Sequence, residues 1–270
     1  MNIAIVVTRA PSRLDIRRIG AIARYTVLEA WRNRLAVLVI VAVTLLTLLS
    51  LFARELAVTE SARLQTAILA ATLRVTNVFV IVLYILNGLT REFNDKVLEL
   101  MLSLDLPRPS YLVGKFCGFA IVALAVAVIA TVPIAVLAPL GAASAWGCSL
   151  ALELLIVTAL SVFCVTTFTQ LLPAATFVTA FYLLARSISA IQLMTGASLL
   201  GVDALGQKAS TLLADALAFV LPRLDMFTQT AWLVDGASAY PVLLSALLQT
   251  VVYVVLLLTA AMFDLYRKNF

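Results

Sequence analysis

Three charged residues, Arg74, Glu153 and Arg186, interrupt segments that are otherwise long and apolar. A charge at the centre of a bilayer costs about 2.5–3.5 kcal/mol on insertion scales, so such residues usually face a partner or a wet cavity. Their positions along the chain predict a shared depth in the outer half of the membrane. We expect Glu153 to pair with one arginine while the other faces an anionic headgroup or substrate. A purely structural ion pair, or snorkelling of the arginines, is the alternative.

A second group of charges lies in the segment 91–115, which reads R-E-F-N-D-K-V-L-E-L-M-L-S-L-D-L-P-R-P-S-Y-L-V-G-K. At 100° per residue, one narrow face is polar and the opposite face is apolar. The polar residues are Glu92, Asp95, Lys96, Glu99 and Ser103, and the apolar ones are Phe93, Val97, Leu100, Met101 and Leu104. This pattern predicts an amphipathic helix of about three turns on the membrane base, with its charged face towards a soluble partner. A surface helix that only joins two spans is the alternative.

Other chemistry is missing from the sequence. There is no histidine, and Cys117, Cys148 and Cys164 are too widely separated for a CxxC site. Neither a GxxxxGK[ST] phosphate loop nor a GxGxxG motif occurs. We therefore expect no catalytic site and no metal site in this chain, and an intramembrane enzyme is the weakest interpretation.

The composition defines the broad class. Of 270 residues, 63% are hydrophobic and 12% are charged, and the mean hydropathy is +1.09. A soluble domain carries about 25% charged residues, so this chain could not cover a water-facing surface. That excludes a soluble enzyme, a disordered protein and a secreted disulfide scaffold. The net charge of +5 is typical of the positive-inside bias rather than of nucleic-acid binding.

Apolar segments long enough to cross a bilayer recur six times. We predict an all-α membrane protein with spans near 35–53, 67–89, 116–138, 146–171, 174–194 and 236–263. The turn between the fourth and fifth spans is expected at Gln170 and Pro173. The linker 195–240 is expected to form one or two short or re-entrant helices. The whole chain then forms a single domain, with a basic segment 1–34 and a six-span bundle 35–270.

The N-terminal segment and the distribution of basic residues indicate the orientation. Residues 16–31 predict an amphipathic helix lying in the headgroup region, with Arg17 and Arg18 away from the apolar face. That apolar face consists of Ile16, Ile19, Ala23, Val27 and Ala30. A cytosolic helix packed on a partner is the alternative. Lys and Arg concentrate before the first span, between the second and third, and after the sixth. Both termini are therefore expected on the cytoplasmic side. The membrane itself is expected to be a bacterial inner membrane.

The 91–115 segment resembles the cytoplasmic signature of type-2 ABC exporter permeases, roughly R-E-x(3)-G-T-L-E-x-L-L…P-x-S-R-x(5)-G-K. The matching residues are Arg91, Glu92, Leu98, Glu99, Met101, Leu102, Arg108, Gly114 and Lys115. Lys96 and Val97 stand where Gly-Thr is usual, Asp105 replaces the proline and Pro107 the serine. The N-terminal helix, the six spans and the Leu-Pro-x-Leu-Asp-x-Phe stretch before the sixth span are also similar to this family.

This resemblance implies a permease subunit that pairs with a second copy and binds a soluble ATPase, two copies of each in the complex. ATP and Mg would be bound by that ATPase, so no cofactor is expected in this chain. The ATPase-coupling interface implied by the family comprises Arg91, Glu92, Asp95, Lys96, Glu99, Arg108, Gly114 and Lys115, with a smaller contact at 170–175. Arg74, Glu153 and Arg186 stay the candidates for a substrate path.

Two other functions are open on the sequence. The same fold could transmit ATP-driven motion to a periplasmic assembly or maturation partner through the 195–240 linker. An ion-coupled carrier without an ATPase is the third interpretation; the single carboxylate inside a span and the missing histidine weigh against it. The uncharged spans favour a hydrophobic or amphipathic cargo over a polar one.

Overall fold

The computed structural model describes residues 16–56, 62–95, 107–196, 212, 215–218, 220–228 and 240–267. These residues are 94% helical and contain no β-strand. The helices are α1 (Ile16–Arg32), α2 (Leu35–Leu56), α3 (Ala62–Asn94), α4 (Arg108–Leu137), α5 (Leu140–Phe168), α6 (Leu171–Gly196) and α7 (Tyr240–Arg267). Among the described residues, the six helices α2–α7 are long and apolar enough to cross a membrane. The predicted all-α, six-span architecture is confirmed at this level.

The third and fourth spans begin earlier than predicted. α4 begins at Arg108 rather than near 116, so Gly114 and Lys115 lie inside this helix. Pro107 caps α4 with an extended backbone, and a second proline occupies the first turn, where the missing N–H is harmless. α5 begins directly after Pro139 rather than near 146. Composition alone missed the start of α4 because this helix extends beyond the uncharged segment to Arg108. It missed the start of α5 because Leu140 lies inside the uncharged segment 116–152, where composition marks no boundary.

The tight turn between α5 and α6 lies at Thr169 and Gln170. Thr169 adopts the left-handed conformation with φ 57°, and its backbone N–H donates to the carbonyl of Val165. The predicted turn at Gln170 is thus confirmed. Pro173, however, lies within the first turn of α6, where a proline does not interrupt helical hydrogen bonding.

α5 is the central helix of the bundle and packs against α3, α4, α6 and α7. Small residues permit its close approach to α4, since a Cβ on Gly147 would collide with Thr131. α2 and α7 instead expose rows of large apolar side chains. These include Leu45, Leu48 and Leu49 on α2 and Leu244, Leu248 and Val251 on α7. Such apolar exposure is typical of helices that face lipid.

One end of the bundle gathers α1, the start of α4 and the ends of α3, α5 and α7; we call it the charged end. Thr167 Oγ1 on α5 donates to Asp264 Oδ2 on α7 at 2.5 Å. Arg108 Nη1 on α4 donates to the carbonyl of Leu265 at 3.0 Å. The end of α7 therefore packs beside the start of α4 and the end of α5 at this end of the bundle.

α1 packs against α4 with a face that overlaps the predicted one at Ala23 and Ala30 but is rotated from it. Ile16 is 82% exposed, and Ile22 and Thr26, absent from the predicted face, are buried together with Ala23 and Ala30. The face rotates because α4 offers two glycines against which Ile22 and Thr26 can dock. Hydrophobicity alone could not show the burial of Thr26, since threonine is not an apolar residue, whereas Ile22 is apolar but lies outside the predicted face.

Two further predictions concern the 91–115 segment and the 195–240 linker. Arg91 and Glu92 belong to the last turns of α3, rather than to a separate amphipathic helix as predicted. The rest of that predicted helix, 96–106, lies outside the described residues. Within the 195–240 linker, the structure describes a helical stretch at 215–218 and a 3-10 helix at Leu224–Thr228.

Candidate functional site

Arg74, Glu153 and Arg186 meet in the interior of the bundle, as their shared depth predicts; we call them the midspan cluster. Because α5 begins at Leu140, Glu153 lies at the middle of its helix rather than towards the outer end that the sequence predicted. Arg74 on α3 and Glu153 near the middle of α5 are 1% and 0% exposed. Arg74 Nη1 donates to Glu153 Oε2 at 2.5 Å. Arg186 Nη1 on α6 lies 3.4 Å from Glu153 Oε1. Glu153 thus contacts both arginines, rather than the single one expected.

The guanidinium of Arg74 is held by three residues along one face of α5. Besides Glu153, its Nη2 donates to Ser149 Oγ at 2.8 Å and, weakly, to the Trp146 carbonyl at 3.5 Å. The guanidinium carbon also lies 5.2 Å from the centre of the Trp146 ring. A cation over an aromatic face is stabilised most when it is desolvated, so this arginine is firmly fixed.

Arg186 is placed differently from Arg74. Tyr182, one turn earlier on α6, donates its hydroxyl to Glu153 Oε1 at 2.9 Å and so shares the oxygen that Arg186 approaches. The Arg186 side chain is 26% exposed. The midspan cluster therefore combines two guanidinium groups with one carboxylate, and its excess positive charge lies on the more exposed arginine.

A second cluster lies at the charged end and is centred on Lys115, whose side chain is 1% exposed. Its Nζ donates to Glu92 Oε1, while the hydroxyl of Tyr111 donates to Glu92 Oε2 at 2.7 Å. Nζ also lies 3.9 Å from Glu29 Oε2 on α1. We call Lys115, Glu92, Tyr111 and Glu29 the basal cluster. It links α1, α3 and α4 and contains two carboxylates for one ammonium.

Two aromatic rings surround the ammonium of the basal cluster, and one of its carboxylates, that of Glu29, is partly buried. Lys115 Nζ lies 5.7 Å from the centre of the Tyr25 ring and 5.8 Å from that of Phe119. Partial burial raises the pKa of the Glu29 carboxyl above its ordinary value. Lys115 opposes this rise in pKa and Glu92 adds to it.

Gly114 and Gly118, one turn apart on α4, form the contact surface for α1. A Cβ on Gly114 would lie 2.9 Å from the Cβ of Ile22, and one on Gly118 would lie 2.6 Å from the Cβ of Thr26. Such small residues at four-residue spacing let two helix backbones approach closely. Gly114, predicted as part of a coupling interface, thus lies beneath α1.

The remaining predicted interface residues lie at the charged end with different exposures. Arg91 and Asp95 form an exposed i,i+4 ion pair at 3.5 Å, with side chains 78% and 57% exposed. Arg108 binds the last carbonyls of α7, a position where a cation is favourable. Lys96 and Glu99 lie outside the described residues.

Several contact residues were missed by sequence reasoning. Tyr182, Tyr111 and Glu29 carry no motif of their own and become partners only through packing. Gly118 could have been found, because Gly114 and Gly118 form a G-x-x-x-G pattern within an apolar helix.

Both clusters consist of ion pairs and hydrogen bonds that join neighbouring helices. Within the part of the chain that the structure describes, no group of His, Cys, Asp or Glu side chains could hold a metal ion. No family model matches this chain, and no curated protein sequence matches it either. The resemblance to type-2 exporter permeases therefore depends on the residues of 91–115 and on the layout of the spans.

Proposed function

We propose that this chain is the membrane-spanning permease subunit of an ATP-driven exporter of the type-2 ABC class. It works as a homodimer in a bacterial inner membrane, with two copies of a separate soluble ATPase that bind ATP and Mg. The observation that best supports this proposal is the ion pair between Glu92 and Lys115. These residues stand at opposite ends of the signature-like segment, so the pair fixes the base from which 96–106 extends.

The basal cluster gives that segment a mechanical connection. Lys115 reaches α1 through Glu29, and Gly118 brings α1 against α4. A force applied to 96–106 is therefore delivered to α1, α3 and α4 together, and from α3 and α4 to the central helix α5. In this proposal the charged end faces the cytoplasm.

The predicted interface residues then divide into two roles. Arg91 and Asp95, together with Lys96 and Glu99, offer polar contacts to the ATPase. Arg108, Gly114 and Lys115 hold together the helices that carry those contacts. Glu92 belongs to both groups, because it follows Arg91 on α3 and is paired with Lys115. The cargo is hydrophobic or amphipathic and leaves the cytoplasm or the inner leaflet.

The direct test is affinity purification of the tagged chain in mild detergent, after expression with its genomic neighbours, followed by mass analysis of the intact complex. A complex of two copies of this chain and two of a soluble ATPase is expected. A third, periplasmic component would favour the mechanical role in assembly. If the chain purifies without an ATPase, the proposal is wrong and an ATPase-independent carrier becomes the better interpretation.

A matched pair of variants locates the interface. Asp95→Arg reverses an exposed charge at the start of the 96–106 segment and is expected to release most of the bound ATPase. Asp215→Arg makes the same change on an exposed residue far from the charged end. Asp215 accepts a hydrogen bond from Gln192, which lies near the C-terminal end of α6. That variant should retain the ATPase. Equal retention by both variants would place the interface elsewhere.

A further inference from the structure

The midspan cluster carries one positive charge more than it can neutralise internally. Glu153 has one negative charge, and its two oxygens already accept from Arg74 and Tyr182. A second guanidinium, that of Arg186, approaches the same carboxylate at the longer distance of 3.4 Å. An uncompensated cation within a membrane is costly, so an external anion near this cluster would be stabilised.

The geometry identifies which arginine is available. Arg74 is 1% exposed and is bound by Glu153, Ser149 and the Trp146 ring. Arg186 is 26% exposed, and within the described part of the chain its polar contact is the single ion pair with Glu153. A guanidinium has five N–H donors in a planar fork that fits a phosphate or a carboxylate. Arg186 therefore keeps donors that can point away from Glu153.

We propose that Arg186 is an anion-binding subsite that takes the phosphate or carboxylate group of an amphipathic molecule at the surface of α6. Glu153 and Tyr182 act as positioning residues, because they hold the guanidinium at the edge of the bundle. The inference names the chemical class of the cargo, and to that extent it rests on the proposed function. Binding at the subsite itself needs no ATPase.

Binding of defined lipids to the purified chain tests this proposal. Native mass spectrometry would measure retention of phosphatidylglycerol and of phosphatidylcholine, and competition by inorganic phosphate. The wild type is expected to retain the anionic lipid preferentially, and Arg186→Gln to weaken that retention by about tenfold. Arg223→Gln removes an exposed arginine beside the 3-10 helix and serves as the matched control.

The outcomes separate the sources of the anion. A preference for phosphatidylglycerol that depends on Arg186 supports a lipid headgroup. Phosphate binding that depends on Arg186, with no preference between the two lipids, supports a soluble anion. Equal anion binding by the wild type, Arg186→Gln and Arg223→Gln overturns the subsite. These readouts are independent of ATPase retention, so the subsite and the exporter proposal can fail separately.

Crosslinking with a photoactivatable phosphatidylglycerol tests the subsite in the wild-type chain, and so does not require that Arg186→Gln folds. With the wild-type chain, crosslinks are expected in the peptide of α6 that contains Arg186, and excess phosphatidylglycerol should suppress them. Excess inorganic phosphate should suppress them only if the subsite accepts a soluble anion. Crosslinks confined to other helices, or equal crosslinking by a photoactivatable phosphatidylcholine, would overturn the proposal.

Discussion

The two charge clusters of this molecule have opposite ratios of positive to negative side chains. In the midspan cluster, two arginines share the single carboxylate of Glu153, whereas in the basal cluster two carboxylates share the single ammonium of Lys115. The midspan carboxylate is fully buried between spans, while Glu92 and Glu29 at the charged end are 12% and 29% exposed. Water can reach the basal carboxylates but not Glu153. The attraction between opposite charges should therefore be stronger in the midspan cluster than in the basal cluster.

Loss of the midspan carboxylate is expected to have the largest effect. Glu153→Gln leaves Arg74 and Arg186 buried or half-buried without a counter-charge, which should lower the free energy of unfolding by about 3–5 kcal/mol. Thermal unfolding in detergent, followed by size-exclusion chromatography, measures the loss. Asp95→Asn, which neutralises an exposed carboxylate, is the control and should be near neutral. A Glu153→Gln chain as stable as the wild type would show that the midspan ion pairs are not stronger than the basal ones.

A double variant sharpens the same point. Replacing Arg74 and Glu153 together with methionine removes both charges of the most buried pair. Buried ion pairs replaced by apolar residues are often no less stable than the original, so this variant should be more stable than Glu153→Gln alone. A double variant as unstable as the single one would mean that packing around Glu153, rather than charge, determines the effect.

Loss of the basal lysine should cost less. Lys115→Met leaves Glu92 with the Tyr111 hydroxyl and access to water, so the expected destabilisation is about 2–3 kcal/mol, close to the upper value for a hydrogen bond to a charged group. Hydrogen exchange of α1 amides should rise together with the loss of thermal stability. Arg91→Met, which breaks an exposed pair in the same region, should change stability by less than about 0.5 kcal/mol. A larger effect for Lys115→Met than for Glu153→Gln would reverse the ranking.

The packing beneath α1 can be tested with two glycines. Gly118→Ala would place a Cβ 2.6 Å from Thr26 Cβ and is expected to push α1 away at a cost of about 1–2 kcal/mol. Gly88→Ala on α3 meets nothing within 4 Å and should instead stabilise its helix by up to about 1 kcal/mol. Opposite signs in thermal unfolding are expected. Stabilisation by both substitutions would show that α1 does not depend on this contact.

The smallest effect concerns pH at the basal cluster. Because the pKa of Glu29 is raised in the folded chain, its favourable contribution is fully present below the ordinary value of 4.5 and is lost as pH rises through the folded value. Glu29→Gln should match the wild type at low pH and protect α1 slightly better at pH 8, by less than about 0.5 kcal/mol given its exposure. Hydrogen exchange corrected for pH checks this. Better protection in the wild type at pH 8 would show that the ion pair with Lys115 dominates.

Much of the fold was accessible from the sequence, but the helix starts and faces were not. Uncharged segments long enough for a bilayer predicted six spans, and Gln170 predicted the turn between α5 and α6. The start of α4 was missed because Arg108 and Lys115 lie inside a helix that composition assigned to a loop. The start of α5 was missed because Leu140 lies within the uncharged segment 116–152, where composition marks no boundary. The buried face of α1 was predicted only in part, at Ala23 and Ala30, because Thr26 docks against Gly118, a contact made by shape rather than by hydrophobicity.

The sequence by itself determined that this is a membrane protein with charges at matched depths, because hydropathy and helical periodicity act over one or two turns. Only the tertiary structure decided how those charges share partners. Arg74 and Glu153 are 79 residues apart, Glu153 and Arg186 are 33 apart, and Glu92 and Lys115 are 23 apart. Contacts at such separations follow from which helix faces pack together, and the packing of α3 and α6 around α5 gives Glu153 two arginines instead of one.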